Sequence, residues 1–199
     1  MHTDTVNTGQ GKILLPIARA SISSALGCAY PADEQSPWLK EQGACFVTLT
    51  QNGELRGCIG TLEAHRSLLQ DVKANAQAAA LRDPRFAPLL AAELDNTEVE
   101  VSLLSAIKPL QFFSEQDALA QLKAGVHGVV FEYGQHRSTF LPQVWEQLPD
   151  VAEFMAHLKR KAGLPADFWA QEVRLSWYSV SKWKESDLLK ETMAASTSS

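Results

Sequence analysis

The sequence predicts an α+β fold with a largely antiparallel sheet flanked by helices. Segments with helical periodicity alternate with segments of strand periodicity along the chain. Two pairs of strand-like segments are joined by tight turns, which is typical of antiparallel hairpins. Strands also outnumber βαβ units, which argues against a doubly wound fold. A chain of 199 residues can bury one substantial core or two small ones.

The clearest hairpin covers residues 44–60. The first half is β-branched and aromatic, and Asn52-Gly53 is the strongest short turn signal in any sequence. With Asn52 and Gly53 as a two-residue loop, a continuous register pairs Cys58 with Val47. Facing residues share one side of a sheet, so we expect Cys58 on the face of Val47.

Helical periodicity and capping residues predict helices over residues 13–28, 67–81, 114–122 and 151–162. Pro16 falls in the first turn of the first helix, where a missing N–H does no damage. Ser67 and Ser114 are N-cap residues. Gly27 is the expected stop of the first helix.

Further strands are predicted at residues 96–105, 127–133, 136–141 and 172–183. Gly134-Gln135 forms the turn of a second hairpin, in which Glu132 faces Arg137. We expect one domain over residues 12–185. The ends, residues 1–11 and 186–199, are expected to be flexible tails.

Composition and charge exclude several classes of protein. The 45% apolar and 21% charged residues are typical of a folded globular protein, and the net charge of −5 makes nucleic acid an unlikely partner. No run of about 18 apolar residues predicts a membrane span, and no signal peptide is expected. Three cysteines without a CxxC or zinc pattern favour free thiols in a reducing, cytoplasmic location.

Cys58 is the strongest candidate for chemistry. It lies between Gly57 and Gly60, which leave backbone uncovered for a ligand or another strand, and Arg56 precedes it by two residues on the same predicted face. An arginine at about 7 Å favours the thiolate, the nucleophilic form of cysteine. The alternative is a small buried side chain in a sheet. Cys45 lies diagonally on the same predicted face, although such a diagonal rarely suits a disulfide.

Other candidates have two interpretations each. His127, at a loop-to-strand position, is a general base or proton carrier, or an imidazole that closes a strand end. Glu98 and Glu100 share a strand face as an acid/base or metal pair, or as solvated carboxylates. Arg85 is an anion clamp or part of a turn after a helix. No nucleotide, hydrolase or zincin motif occurs, so we expect no cofactor and no metal.

Five motifs together resemble the AMMECR-one domain family over about residues 12–185. They are LRGCIGT at 55–61, DPRF at 83–86, VEVSLLS at 99–105, GVHGV at 125–129 and TFLPQVW at 139–145. The resemblance implies two subdomains of unequal size, the larger with an antiparallel sheet flanked by helices. It also implies association with a Memo-like protein and a radical SAM enzyme.

Carried onto this sequence, the family signature falls on Arg56, Gly57, Cys58 and Gly60, while Glu100 and His127 fall on other motif positions. The leading hypothesis is an enzyme, or an enzyme subunit in a modification pathway. In it Cys58 is the nucleophile, with Glu100 and His127 as further catalytic residues. Four residues bind the substrate, namely Arg56, Gly57, Gly60 and Arg85. The alternatives are a protein-interaction module and, less favoured by the charge, a nucleic-acid-associated factor.

Overall fold

The computed structural model describes residues 4–188 and 190, with side chains from residue 9 onward. As predicted, the fold is α+β, with two four-stranded antiparallel sheets. The chain divides into two units of unequal size. The first contains the described residues up to Leu104 and from Ser181 onward, and the second is Ser105–Val180.

The elements of the first unit are helices and strands that form one layered core. In chain order they are α1 (Asp4–Ala25), β1 (Cys45–Gln51), β2 (Glu54–Gly60), α2 (Leu68–Leu81) and β3 (Thr97–Leu104). The last strand of the chain, Val180–Lys184, adds to the edge of β3 and is numbered β8 below. The strand order is β2-β1-β3-β8. Alternate residues such as Val47, Leu49 and Val99 are fully buried in a core with α1 and α2.

The second unit is built around its own sheet. Its elements are β4 (Lys108–Pro109), α3 (Glu115–Gln121), β5 (Gly128–Tyr133), β6 (His136–Phe140), α4 (Val151–Lys161) and β7 (Arg174–Tyr178). The strand order is β4-β7-β5-β6. Phe131 of β5 and Phe154 of α4 are fully buried in its core, and the Trp145 ring stacks on Phe154 at 3.7 Å between centroids.

Several local predictions are confirmed. The Ser67 and Ser114 hydroxyls cap α2 and α3 by accepting backbone N–H groups. Asn52 and Gly53 both have positive φ, as a two-residue hairpin turn of this type requires. In the second hairpin Glu132 pairs with Arg137.

The first helix begins earlier than predicted. Residues 4–11, expected to be a flexible tail, lie in α1, and Pro16 is consequently inside the helix and not in its first turn. Gly11 explains part of the extension, because a Cβ there would lie 2.4 Å from the Trp183 ring, so the glycine lets the helix pack closely on β8. At the other end, residues 185–188 are helical. Residues 1–3 and 191–199 of the predicted tails lie outside the described residues.

The predicted strand over residues 172–183 is two strands in different sheets. β7 ends at Tyr178 and β8 begins at Val180. The residue between them, Ser179, exchanges hydrogen bonds with Ser105, whose hydroxyl accepts the Ser179 N–H and whose N–H donates to the Ser179 carbonyl. These bonds take Ser179 out of both ladders, so the alternating sequence pattern continues through a break in the strand.

Candidate active site around Cys58

A β-bulge in the first hairpin decides which way the Cys58 side chain points. The register shifts at Arg56, because Gly57 pairs with Leu49 where a continuous ladder would place Arg56. One extra residue moves every later side chain of β2 to the opposite face. The predicted pairing of Cys58 with Val47 is therefore wrong, and the thiol lies on the face turned away from α1 and α2.

That face carries a line of polar side chains, which we call the polar row: Cys58, Thr48, Glu100 and Lys184. Cys58 pairs with Thr48, and Thr48 pairs with Glu100 on β3. The Thr48 hydroxyl donates a hydrogen bond to Cys58 Sγ at 3.3 Å, and Lys184 Nζ lies 3.6 Å from Glu100 Oε2. Neighbouring strands are about 4.8 Å apart, so two strand spacings separate Cys58 from Glu100. The structure places these two predicted catalytic residues in one row without direct contact.

The DPRF segment holds the outer edge of β2 at Cys58. The Cys58 N–H donates to Asp83 Oδ2 at 2.9 Å, and Arg85 Nη2 donates to the Cys58 carbonyl at 3.3 Å. Arg85 also donates to both Asp83 oxygens, from Nε at 3.0 Å and Nη2 at 2.7 Å. The Arg85 guanidinium holds the pKa of the Asp83 carboxyl far below its ordinary value. The segment satisfies a strand edge that would otherwise be unpaired.

Arg56, predicted to bind substrate, is engaged by the protein itself. Its Nε and Nη2 donate to the two oxygens of Glu93 at 3.2 and 3.3 Å, and its Nη1 donates to the Ala87 carbonyl at 2.9 Å. Only 14% of the side chain is exposed. The Arg56 guanidinium, with help from the N–H of Leu90 and the amide of Gln51, lowers the pKa of Glu93 to about 2.

The two glycines beside Cys58 leave room for the protein's own atoms. A Cβ on Gly57 would lie 2.1 Å from the carbonyl oxygen of Ala79 in α2. A Cβ on Gly60 would lie 2.2 Å from ring carbons of Phe46. The close approach that the sequence predicts at these glycines is therefore made by a helix backbone and an aromatic ring.

His127 belongs to the second unit, where it immediately precedes β5. Its ring is buried and stacks on Trp177 with 4.4 Å between centroids. Nδ1 accepts the N–H of Lys123 at 3.2 Å, and the His127 carbonyl accepts the indole N–H of Trp145 at 2.7 Å. Burial, and secondarily the Lys123 charge, lower the pKa of His127, so the imidazole is neutral at pH 7. These contacts close the strand end.

The three cysteines have different surroundings, and all are free thiols. Cys45 is buried on the core face of β1, so Cys45 and Cys58 lie on opposite faces of the sheet and the predicted diagonal is wrong. Burial raises the pKa of the Cys45 thiol strongly. Cys28 and Cys58 are both partly exposed. Cys58 is the one whose sulfur accepts a hydroxyl hydrogen bond.

Comparisons with known proteins identify the family of this chain. The sequence model of the AMMECR1 family, the AMMECR-one family of the sequence analysis, matches residues 15–183. The chain belongs to the AMMECR1 family. A protein of Methanococcus aeolicus is 36% identical over 186 residues, covering 92% of this chain and 91% of the relative. Protein MJ0810 of Methanocaldococcus jannaschii is 38% identical over 167 residues, covering 82% of this chain and 83% of the relative.

A solved AMMECR1 relative shares the fold. The crystal structure of protein PH0010 from Pyrococcus horikoshii, described as uncharacterized, matches with a TM-score of 0.72 at 31% identity. The match covers 89% of this chain and 92% of that one. The names of these relatives state no activity, so the chemistry of this AMMECR1 chain has to be argued from its own residues.

Sequence reasoning missed four residues of this AMMECR1 site: Thr48, Asp83, Glu93 and Lys184. The signal for Asp83 was present, because it opens the DPRF motif already singled out. Glu93 follows Leu90 at capping-box spacing, and Glu93 Oε2 accepts the Leu90 N–H at 2.8 Å. Thr48 and Lys184 could be found only from the register, because their partners lie on neighbouring strands.

The described residues contain neither a metal-binding cluster nor a membrane-spanning helix. No group of three or more His, Cys, Asp or Glu side chains in that part of the chain is arranged to hold a metal ion. None of the described helices is both long and apolar enough to cross a membrane. The first unit does contain an open groove of about 980 Å³, lined in part by Arg19, Tyr30 and Glu98.

Proposed function

We propose that this AMMECR1 protein is an enzyme, or an enzyme subunit, whose reactive group is the Cys58 thiol. The observation that carries the proposal is the 3.3 Å hydrogen bond from the Thr48 hydroxyl to a partly exposed Cys58 sulfur. The hydrogen bond holds the sulfur in place, and partial exposure gives a substrate access to it. The Arg85 guanidinium, bonded to the Cys58 carbonyl, adds a positive charge nearby.

The chemistry that this arrangement supports is addition of the Cys58 thiol across a double bond of a small molecule: the S–C bond forms as the π bond breaks, and the thiol proton goes to the other atom of that bond. Glu100 acts in the same row by holding the Lys184 ammonium, at 3.6 Å. The association with Memo-like and radical SAM proteins in a modification pathway belongs to the same proposal. Family resemblance supports the associates, and three free thiols support a cytoplasmic location.

The test is alkylation of the folded protein by iodoacetamide at pH 7, with each cysteine followed by mass spectrometry. We expect Cys58 to react faster than Cys28, which is also partly exposed, and Cys45 to stay unreacted until the protein unfolds. Thr48→Val should slow Cys58 roughly 2- to 10-fold through loss of the hydrogen bond, while Thr48→Ser should not. Cys28 serves as the internal control because neither substitution touches it.

A non-catalytic protein-interaction module is the second candidate. Two observations favour it. Atoms of Ala79 and Phe46 pack closely against Gly57 and Gly60, and every nitrogen of Arg56 is bonded to the protein, so this motif has a structural role. This candidate predicts that Cys58 stays unlabelled until unfolding and that Cys58→Ala only changes stability. Either observation would remove the thiol enzyme from consideration.

A further inference from the structure

We propose that the substrate of the Cys58 site carries an anionic group, a carboxylate or a phosphate, and that Arg85 holds this group beside the thiol. The inference rests on the proposed function and adds the class of substrate. It also assigns different roles to Arg56 and Arg85, which the sequence analysis both predicted to bind substrate.

The two arginines differ in what their guanidinium groups have left to donate. Every nitrogen of Arg56 donates to Glu93 or Ala87, and the side chain is mostly buried. Arg85 uses Nε and Nη2, and its Nη1 has no bonded partner within residues 9–188. The Arg85 side chain is 53% exposed. Arg85 therefore presents an exposed Nη1 with both of its N–H groups unbonded, whereas every Arg56 nitrogen already makes a bond and the side chain is mostly buried.

Arg85 is also fixed in position. Asp83 receives two of its nitrogens, the Phe86 ring lies 5.4 Å from its guanidinium carbon, and Nη2 bonds the Cys58 carbonyl at 3.3 Å. Asp83 in turn is held by the Cys58 N–H. The guanidinium is thus attached to the strand residue that carries the thiol, and little side-chain freedom has to be lost when an anion binds.

The Asp83–Arg85 and Glu100–Lys184 pairs expose their basic side chains more than their acidic ones. In the Asp83–Arg85 pair the carboxylate side chain is 2% exposed and the guanidinium 53%. In the Glu100–Lys184 pair the values are 16% and 46%. Both pairs expose the base more than the acid, and Arg85 is the cation that is bonded to Cys58 itself. Arginine donates charge-assisted hydrogen bonds to carboxylates and phosphates, and the Nη1 of Arg85 remains for such a bond, which makes an anionic substrate the matching class.

The experiment compares an anionic and a neutral alkylating reagent at Cys58. Iodoacetate and iodoacetamide both form a bond from the sulfur to the same carbon and release iodide. The intrinsic reactivity of the thiol therefore cancels in the ratio of their two rates, and the ratio reports the preference of the site for an anion. We expect the iodoacetate-to-iodoacetamide ratio to be higher at Cys58 than at Cys28. Arg85→Gln should lower the Cys58 ratio roughly 3-fold or more, and Arg85→Lys by less.

Two control variants isolate the cause. The double variant Asp83→Asn with Arg85→Gln removes both charges of the pair and leaves its net charge unchanged. If the Cys58 rate ratio is lowered in this variant too, the cause is the loss of the Arg85 N–H donors and not the unpaired charge of Asp83. Arg82→Gln removes an exposed guanidinium from the same segment, at the C-cap of α2, and should leave the ratio at the wild-type value.

The outcomes separate the inference from the proposed function. A Cys58 that neither reagent labels contradicts the thiol site itself. A Cys58 that iodoacetamide labels readily, with a ratio equal to that of Cys28 or unaffected by Arg85→Gln, overturns the anionic substrate and leaves the thiol site standing. A ratio that falls equally in Arg82→Gln and Arg85→Gln also overturns it, because the effect is then one of general charge.

Discussion

At the scale of single residues, the paired charges around the LRGCIG strand keep their carboxylates ionised. Arg56 lowers the pKa of Glu93 to about 2, against an ordinary value of 4.5. A carboxyl whose pKa is lower in the folded protein than in the unfolded chain stabilises the fold when ionised. That stabilisation is complete above about pH 5 and is lost as the pH falls toward 2.

We therefore expect Glu93→Gln to destabilise the protein at pH 7 by about 1 kcal/mol, since the pair is partly exposed to solvent. The deficit should shrink between pH 5 and pH 2.5, because in that range the wild-type carboxyl takes up a proton in the unfolded chain but stays ionised in the folded protein, which lowers the wild-type stability. Urea unfolding followed by tryptophan fluorescence at a series of pH values measures this. Glu54→Gln, which removes an exposed carboxylate at the start of β2, is the control. A Glu93→Gln deficit that stays constant down to pH 2.5 would contradict the ionised pair.

Single residues are also where sequence reasoning was least complete. Cys58, Arg85 and Glu100 were selected from motifs, and the structure gathers all three in the first unit. Their partners Thr48 and Lys184 were missed because a hydrogen bond between strands depends on register, which no local pattern records. Arg56 and Arg85 look equivalent in the sequence. Only the structure shows that every nitrogen of the mostly buried Arg56 is bonded, whereas the exposed Arg85 keeps its Nη1 unbonded within residues 9–188.

At the scale of elements, the close packing of α2 on β2 explains the first glycine of the motif. Gly57 faces the core side at the bulge, where the Ala79 carbonyl of α2 occupies the space that a Cβ would need. The atom in the way is backbone, so relief requires the whole helix to move. The bulge at Arg56 places the Cys58 side chain on the face away from α2, and Gly57, which has no Cβ, allows α2 to pack closely on the other face.

Gly57→Ala should lower the free energy of unfolding by about 2–3 kcal/mol, as overpacking does in a core. Chemical denaturation with a matched Gly9→Ala variant checks this. Gly9 lies in α1 with nothing within 4 Å of a Cβ, so alanine there should be neutral or slightly stabilising. A Gly57→Ala protein of wild-type stability whose Cys58 no longer reacts would instead identify Gly57 as a substrate contact.

The elements themselves were largely predictable, because caps and turns are local. Ser67, Ser114 and the Asn52-Gly53 turn act where the sequence places them. The errors arose where a non-local contact overrides a local pattern. Ser105 bonds Ser179 where the last predicted strand breaks, and the bulge that changes the face of Cys58 lies where the α2 backbone packs on Gly57.

At the scale of the whole molecule, the described residues form two hydrophobic cores built from different elements. The first contains Leu49 of β1 and draws on α1, α2 and the β2-β1-β3-β8 sheet. The second contains Leu158 of α4 and draws on the β4-β7-β5-β6 sheet. Both leucines are fully buried. The chain leaves the first unit after Leu104 and returns at Ser181, so the residues of the first core are far apart in sequence.

This organisation predicts that damage to one core is felt mainly in its own unit. Leu49→Ala and Leu158→Ala each remove the same atoms from a closed site and should cost about 2–5 kcal/mol. Amide hydrogen exchange read by mass spectrometry should show faster exchange in β1 and β3 for Leu49→Ala, with wild-type protection in β5 and β7. Leu158→Ala should give the reverse pattern, because local opening follows the contacts that each amide depends on.

Equal loss of protection in both sheets, from either substitution, would show that the two cores unfold as one cooperative unit. In that case opening of the second unit would expose Cys58 further, and its labelling would have to be measured well below the unfolding transition.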